Sequence, residues 1–260
     1  MRYSICATLA FLIIIVFAFS SYGIDSSSIL GIWLLDENKD NVAGDSSGNS
    51  RNGEIKGNVK WTKGKFDTAL EFPGQGDSHV VIPHDDSLSV TKFSVTAWVN
   101  LVNRGAYQAI VEKGEVQGDV RNFYLAVTPE GILYGGFKDK AGWNSILGDV
   151  IADEKWHHAA VTYDMKKTLV YVDGKSYSKV SIGVEGGVDP LLNQAPITFG
   201  VTNTGGGEPA QGVIDEVGIF NQGLTEVDIK SIMDKGLKQT ALSIESISKL
   251  TTVWGKIKSF

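Results

Sequence analysis

Most of the chain is a succession of short runs rich in β-branched and aromatic residues, separated by Gly, Asn, Asp and Pro. Such runs predict short β-strands joined by turns. They are Gly31 to Leu35, Ala69 to Phe72, His79 to Ile82, Phe93 to Val99, Ala109 to Glu112, Phe123 to Val127, Ile132 to Phe137, a hairpin over 156–173, Ile197 to Phe199 and Gly212 to Phe220. Because no helical periodicity lies between them, the chain is predicted to be all-β, a two-sheet antiparallel β-sandwich of the jelly-roll type.

Alternation within the runs predicts which side chains form the core. In the run 93–99, small or apolar residues occupy every second position and share one face of the strand. Ser94, Thr96 and Trp98 share the opposite face. One side of this strand is therefore expected to pack against a second sheet.

The first 23 residues are predicted to be a cleaved secretory signal peptide. Arg2 provides a positive start, an unbroken apolar run extends from Leu9 to Phe19, and small residues at Ser21 to Gly23 suit signal peptidase. The apolar run is shorter than the about 18 residues that a membrane span needs. The single cysteine, Cys6, lies in this segment, so the mature chain must be stabilised without disulfides, by its core or by a metal.

Helical spacing occurs only near the end of the chain. Thr225 suits an N-cap, acidic residues occupy the first turn, and Gly236 stands where a helix would stop, which predicts a short C-terminal helix. The sequence that follows the signal peptide suits one large all-β domain, 24–237. In the tail 238–260, the three-and-four spacing of apolar residues allows an amphipathic helix. Docking on the sandwich, contact with a partner and a loose tail stay open as alternatives.

Eight segments in order along the chain resemble one family. The hairpin segment 156–175 begins with Trp-His-His and ends with Tyr-Val-Asp-Gly-Lys, and it is similar to a hairpin of laminin G-like domains. The other similar segments are Gly31 to Glu37, Asp45 to Asn49 with Asn52-Gly53, Ala69 to Phe72, Ala97 to Val99, Ile110 to Gly114, Ile197 to Gly200, and Gly212 to Asn221 with Leu224-Thr225. From about residue 28 to about residue 236, the chain thus resembles a bacterial secreted laminin G-like domain of the concanavalin A-like lectin/glucanase superfamily. This resemblance implies the jelly roll of a secreted recognition module.

The polar loop 45–52 is a candidate calcium site. Asp45, Asn49 and Asn52 offer carboxylate and amide oxygens in a glycine-bearing loop, and Ca²⁺ prefers such ligands. In the jelly rolls that this chain resembles, the last strand lies beside the N-terminal segment and shares a structural Ca²⁺, which implies Asp215 as a further ligand. The alternative interpretation is that Asp45 and Asn49 build an Asx turn and that Asp215 pairs with a lysine.

Two aromatic residues are candidates for carbohydrate binding. A sugar ring stacks its apolar face on a flat aromatic side chain, while its hydroxyl groups take hydrogen bonds. Trp143 lies among loop-type residues in 140–145, and Tyr107 lies in the glycine-containing segment 104–108. The alternative interpretation is that both rings pack over a sheet edge.

The sequence contains no pattern typical of catalysis in this class of fold. Sandwich glycanases carry Glu-x-Asp-x-Glu or Glu-x-Asp-x-x-Glu on one face of a strand, so that acid and nucleophile flank one bond, and neither spacing occurs here. The spacing Gly-x-Ser-x-Gly occurs at 44–48, but it lies in a polar loop with no helical pattern after it, so no nucleophile elbow is predicted. His157 and His158 are neighbours in a strand and are expected to face opposite sides, so they cannot chelate one metal together. His158 is predicted to be a hydrogen-bonded structural residue.

These observations predict a secreted, noncatalytic carbohydrate-binding or adhesion module with a structural calcium site and a glycan or cell-surface polysaccharide as its partner. The net charge is −6, and it becomes −7 without the one basic residue of the signal peptide, which disfavours nucleic acid and anionic membranes as partners. Two alternatives stay open. A raised-pKa acidic pair in an open cleft would favour a glycoside hydrolase or lyase, and a broad apolar patch would favour a protein-binding cell-surface module. Extracellular and periplasmic destinations are both compatible with the sequence.

Overall fold

The computed structural model describes residues 24–115, 119–202 and 206–240. The predicted signal peptide and most of the predicted tail lie outside these ranges. The strands are β1 (Ile29–Trp33), β2 (Val42–Ala43), β3 (Gly53–Lys56), β4 (Lys60–Lys63), β5 (Thr68–Pro73), β6 (His79–Ile82), β7 (Phe93–Leu101), β8 (Gln108–Glu115), β9 (Val120–Val127), β10 (Ile132–Asp139), β11 (Gly142–Val150), β12 (His157–Tyr163), β13 (Thr168–Val172), β14 (Lys175–Tyr177), β15 (Lys179–Ile182), β16 (Ile197–Phe199) and β17 (Gln211–Phe220). Single 3₁₀ turns occur at Ser26–Ser28 and Asp86–Leu88.

Across the described ranges, the strands form two sheets in which every pairing is antiparallel. The eight-stranded sheet has the order β14-β13-β12-β7-β17-β5-β4, and β1 pairs with β17 beside this path. The nine-stranded sheet has the order β15-β11-β10-β9-β8-β16-β6-β3-β2. The predicted two-sheet antiparallel sandwich is confirmed.

The main core lies between the two sheets. On β7, the residues at alternate positions from Phe93 to Val99 belong to this core, as the alternation predicted. Trp33 is fully buried and meets Phe199 of the other sheet with ring centroids 5.3 Å apart. Without a cysteine in the described ranges, this aromatic and aliphatic layer is what stabilises the sandwich.

Helix α1 comprises residues 226–240 and begins at the predicted cap. The Thr225 hydroxyl accepts the backbone N–H of Asp228 at 3.3 Å, and the Asp228 carboxylate accepts the backbone N–H of Thr225 at 2.9 Å, which is a reciprocal capping box. Gly236 has a φ of 77°, and the next backbone N–H, of Leu237, donates to the Glu216 carboxylate. The left-handed Gly236 distorts the helix locally, but helix α1 continues through 238–240 of the predicted tail, so the prediction that it stops at Gly236 was wrong.

Helix α1 packs on the outer face of the eight-stranded sheet. Ile229, Ile232 and Leu237 of the helix join Ala160 and Tyr171 of the sheet in a second apolar cluster. Within the described part of the chain, no helix is both long and apolar enough to cross a bilayer. The outer face of the eight-stranded sheet is thus occupied by the protein's own helix.

Candidate functional site

The outer face of the nine-stranded sheet carries a group of four aromatic side chains. Tyr124 on β9, Tyr134 on β10 and Trp143 on β11 lie on adjacent strands, with ring centroids 5.6 to 6.2 Å apart. Tyr107, in the loop before β8, has its ring centroid 6.1 Å from that of Tyr134. The four rings are close enough for edge-to-face and tilted contacts, so they form one continuous aromatic surface.

The sequence of β9 explains why these rings face outward. Phe123, Leu125 and Val127 fill the core between the sheets, so the intervening Tyr124 and Ala126 face the other way. Ala126 and the alanine at position 109 of β8 belong to the same outer cluster as the tyrosines. Small side chains beside large rings leave a depression above the sheet.

This depression is a pocket of about 210 Å³. It is lined by Tyr107, Arg121, Tyr124, Tyr134, Trp143, Ile182 and Glu208. Its volume is below the ~300–1,000 Å³ typical of pockets for drug-sized ligands, so it suits a single small ring or one unit of a longer chain. A larger depression of about 340 Å³ is lined by Asn58, Lys60, Glu71, Pro73 and Gln75, none of which is aromatic. We call the smaller one the aromatic pocket.

Two charged side chains accompany the rings. The hydroxyl of Tyr124 donates to the Glu208 carboxylate. Burial, and then the negative charge of Glu208, raise the pKa of Tyr124 well above its usual value, so this hydroxyl stays protonated. Arg121 contacts the fully buried Glu112 carboxylate through Nε, and its Nη1 lies 3.3 Å from the Asp119 carboxylate. The floor of the aromatic pocket is therefore a fixed hydrogen-bonded framework.

The structure brings the two predicted ligand-binding residues, Trp143 and Tyr107, into this one pocket. Trp143 was expected in a loop, and this was wrong, because it lies on strand β11 and pairs with Lys138 of β10. The glycine and polar residues around it made the strand hard to recognise. Tyr107 does lie in a loop and is 44% exposed. The role of either ring in binding a ligand stays a prediction.

The other residues of the pocket were not predicted from the sequence. Tyr124 and Tyr134 lie in segments predicted as strands, and alternation alone would have placed Tyr124 on the face opposite the core. Arg121 joins the pocket because β9 bulges: Lys113 and Gly114 of β8 pair with residues 123 and 121, which leaves Asn122 as the extra residue. Glu208 comes from a loop distant in sequence, and no local pattern indicates that it lies here.

The four predicted calcium ligands do not form one ligand set. Oδ1 of Asp45 accepts the backbone N–H groups of Ile32 and Ser47, and Oδ2 accepts that of Arg51 at 3.0 Å. The amide of Asn49 donates to the carbonyls of Ile29 and Leu30. The contact with Ser47 is the Asx turn of the alternative interpretation.

The other two predicted ligands are engaged as well. The side-chain oxygen of Asn52 accepts the backbone N–H of Asp45 at 2.8 Å. Oδ2 of Asp215 accepts the backbone N–H of Phe66 at 3.0 Å, in a different part of the fold. The oxygen atoms of the four side chains do not form a ligand set for Ca²⁺ in this arrangement, and the calcium site stays a prediction.

Arg51 provides the positive charge in the loop 45–52. Its Nη1 donates to the carbonyl of Leu30, the same atom that Asn49 contacts, and its Nη2 donates to the Ser87 hydroxyl at 2.7 Å. Its own carbonyl accepts the indole N–H of Trp33 at 2.9 Å. A guanidinium group thus ties the loop to β1 and to the turn at Asp86–Leu88.

Asp215 and Glu216 form the acidic pair with raised pKa that would have favoured an enzyme. Burial raises the pKa of each carboxyl to about 7. Asp215, however, has no exposed surface, and Glu216 is 3% exposed and accepts the backbone N–H of Leu237. Glu216 lines a depression of about 210 Å³ together with Asp36, Asp67 and Lys238. Asp215 does not line it, so the two carboxyls do not face one open cleft as an acid and nucleophile pair would.

The adjacent histidines face opposite sides of β12, as predicted. Both ring nitrogens of His157 contact carboxylates, of Asp153 and Asp173. His158 is fully buried and packs edge-on against Trp98, with ring centroids 5.4 Å apart. The prediction that His158 is hydrogen-bonded through its side chain was wrong, because neither ring nitrogen has a partner among the described residues.

A family model described as concanavalin A-like lectin/glucanases superfamily (Laminin_G_3) matches residues 74–230. The chain is also similar to paraclostridial mosquitocidal protein 1 of Paraclostridium bifermentans, with 21% identity over 209 residues, which are 73% of this chain and 16% of that protein. The chain thus spans about a sixth of the length of this relative. The match locates the similarity in one part of a much longer protein.

Solved structures show the same fold. The binding domain of paraclostridial mosquitocidal protein 1 matches with a TM-score of 0.64 and 17% identity, over 80% of this chain and 52% of that one. Domain 4 of AbnA, an extracellular arabinanase from Geobacillus stearothermophilus, was solved in complex with arabinotriose and matches with a TM-score of 0.57 and 22% identity, over 79% of this chain and 98% of the domain. The ligand binding domain of botulinum neurotoxin serotype D, in complex with N-acetylneuraminic acid, matches with a TM-score of 0.59 and 16% identity, over 81% and 51% of the chains.

Proposed function

Since the chain belongs to the concanavalin A-like lectin/glucanases superfamily, we propose that it is a noncatalytic carbohydrate-binding module that holds its ligand in the aromatic pocket. The main support for the proposal is that one pocket is lined by four aromatic rings, a tyrosine hydroxyl and two charged side chains. The proposal includes secretion, which the predicted signal peptide supports.

The chemistry of the pocket suits a sugar. The rings of Trp143 and Tyr107 are the more exposed ones and can stack on the apolar face of a sugar ring. Tyr124 and Glu208 can exchange hydrogen bonds with its hydroxyl groups. A pocket of this size takes one sugar ring, and the neighbouring units of a chain would extend over the sheet surface.

The structural neighbours support a binding role over a catalytic one. Of the three neighbours named above, two are binding domains of other proteins, and the third is domain 4 of an arabinanase, solved with arabinotriose. In the described chain, Asp215 and Glu216 are adjacent carboxylic acids whose pKa is raised to about 7. Both are buried, and they lie in the other sheet. The aromatic pocket holds one carboxylate, Glu208, whereas glycoside hydrolysis ordinarily needs two that flank the bond.

The proposal is tested by measuring glycan binding of the purified protein and of two pocket variants. A panel of neutral oligosaccharides, including arabinotriose, and of sialylated and uronic-acid oligosaccharides is screened first, and the best ligand is then titrated by calorimetry. Trp143→Ala and Tyr107→Ala should each weaken binding, Trp143→Ala by about tenfold or more, because a buried aromatic anchor at a binding site typically contributes above ~1.4 kcal/mol.

Tyr177→Ala is the matched control. Tyr177 is a half-buried tyrosine on β14, an edge strand of the other sheet, so its removal should leave glycan binding unchanged. Equal binding by the wild type and Trp143→Ala, with both folded by circular dichroism, would show that the ligand lies elsewhere. Absence of binding across the whole panel would contradict the carbohydrate-binding function itself.

A further inference from the structure

Glu208 is fixed at the rim of the aromatic pocket by its backbone and by its side chain. Its φ is 50°, in the left-handed region that a residue with a side chain adopts at an energetic cost. Its carbonyl accepts the backbone N–H of Ala109 on β8 at 2.8 Å. Its carboxylate accepts the hydroxyl of Tyr124, which is 3% exposed. The fold therefore accepts local backbone strain while it holds a carboxylate against the aromatic rings.

The other charges around the pocket neutralise each other. Arg121 contacts the carboxylates of Glu112 and Asp119, and Lys138, whose ammonium lies 5.2 Å from the centre of the Trp143 ring, also pairs with Asp119. Two cations thus face two carboxylates. Among the residues that the structure describes, no lysine or arginine forms an ion pair with Glu208. Of the two charged side chains that line the pocket, Arg121 is thus paired with carboxylates, whereas Glu208 forms no ion pair with a lysine or arginine of the described chain.

We infer that Glu208 determines specificity in the aromatic pocket: it accepts a hydrogen bond from a hydroxyl of a neutral glycan and repels sugars that carry a carboxylate. The inference rests on the proposed carbohydrate-binding function and names the class of its ligand. It also separates two ligand classes that the structural neighbours bind, since arabinotriose is neutral and N-acetylneuraminic acid is anionic.

Two physical effects act in the same direction. A carboxylate accepts hydroxyl groups in charge-assisted hydrogen bonds, which are stronger than bonds between neutral groups. A second carboxylate within one sugar unit of Glu208 is repelled across a half-buried site, where water screens charges less than in bulk solution. At a separation of a few ångströms, this repulsion should weaken binding of an acidic sugar by about tenfold or more compared with its neutral analogue.

The test compares acidic glycans with the same glycans after the carboxylates have been neutralised as methyl esters. Trigalacturonic acid is compared with its methyl ester, and sialyllactose with its methyl ester, by calorimetric titration of the whole protein at low ionic strength. The wild type should bind the neutral member of a pair about tenfold or more tightly. In Glu208→Gln, which keeps a side-chain oxygen as acceptor but removes the charge, the preference should shrink to about twofold or less.

Glu130→Gln is the matched control, because Glu130 is an exposed glutamate in the turn between β9 and β10 and does not line the pocket. This variant should keep the wild-type preference. A wild type that binds acidic and neutral members equally, or prefers the acidic ones, overturns the inference and leaves the carbohydrate-binding proposal standing. A preference that survives unchanged in Glu208→Gln overturns the role of Glu208. Failure of the wild type to bind any neutral or acidic glycan overturns both proposals.

Discussion

Replacing Asp215 with asparagine should stabilise the folded protein above neutral pH. Asp215 has no exposed surface, and its Oδ2 accepts the backbone N–H of Phe66 at 3.0 Å. Its Oδ1 is buried without a hydrogen-bond partner in the described chain. A charged carboxylate is costly in such a place, because burial removes its hydration and only one oxygen is compensated. Asparagine keeps the acceptor for Phe66 and carries no charge.

The size of the effect follows from the pKa. Burial raises the pKa of Asp215 from 3.8 to about 7, which corresponds to about 4 kcal/mol at about 1.36 kcal/mol per unit. The folded state binds this proton more tightly than the unfolded state, so Asp215 makes stability fall as pH rises from about 4 through about 7. Above that range, Asp215→Asn should be more stable than the wild type by ~2–4 kcal/mol. Near pH 4, the two proteins should be nearly equal.

The assay is urea unfolding of the wild type and of Asp215→Asn at pH values from about 4.5 to about 8.5. Glu216, whose pKa burial also raises to about 7, should keep part of the pH dependence in the single variant. Asp40→Asn, at an exposed loop position, is the control. The difference in free energy of unfolding between this variant and the wild type should be small and should not change with pH. If the free-energy difference between the wild type and Asp215→Asn does not grow with pH, Asp215 is not the buried proton-binding group that we describe.

Further predictions concern the loop near β1 and the second sheet. Arg51→Met should lower the free energy of unfolding by ~1–3 kcal/mol, because the carbonyl of Leu30 loses a charged donor, and an unchanged melting temperature would refute this. Ca²⁺ at about 100 times its Kd would add about 2.7 kcal/mol of stability. Because the Asp45 carboxylate already accepts backbone N–H groups, we expect the same melting temperature with Ca²⁺ and with chelator. A rise in melting temperature with Ca²⁺ that Asp215→Ala abolishes would instead support the calcium site predicted from the sequence. Gly136→Ala should destabilise the sheet by ~1–3 kcal/mol, measured by the same unfolding assay, because a Cβ there would overlap a backbone carbonyl of β11.

The sequence predicts the fold well because the core strands carry strong alternation. The predicted bounds His79 to Ile82 and Ile197 to Phe199 coincide with β6 and β16. The strands that were missed are β2, β3, β4, β11, β14 and β15. These are short, polar or exposed, and β15 has no buried residue at all. Their pairing is set by backbone hydrogen bonds to a neighbour, which composition does not record.

The aromatic pocket is only half predictable, for a different reason. Tyr107 and Trp143 could be predicted as ligand-binding residues because each lies among glycine and polar residues, which are typical of exposed turns. Arg121 depends on a bulge, and Glu208 depends on a left-handed backbone residue in a loop that crosses over β8. Such contacts depend on the register between strands that are far apart in sequence, so no local sequence pattern predicts them.

The two outer faces of the sandwich have separate roles in this arrangement. The eight-stranded sheet buries Ala160 and Tyr171 under helix α1, and the acidic pair of β17 lies beneath the same side. The nine-stranded sheet leaves its aromatic residues at a pocket on its outer face. A glycan in that pocket would approach from the side opposite the helix, so substitutions such as Asp215→Asn should change stability without changing affinity. Trp143→Ala should weaken glycan binding, and it should also lower stability because its ring contacts with Tyr124 and Tyr134 are lost. Asp215→Asn therefore tests whether the two sheets are coupled, and a change in its glycan affinity would show that they are.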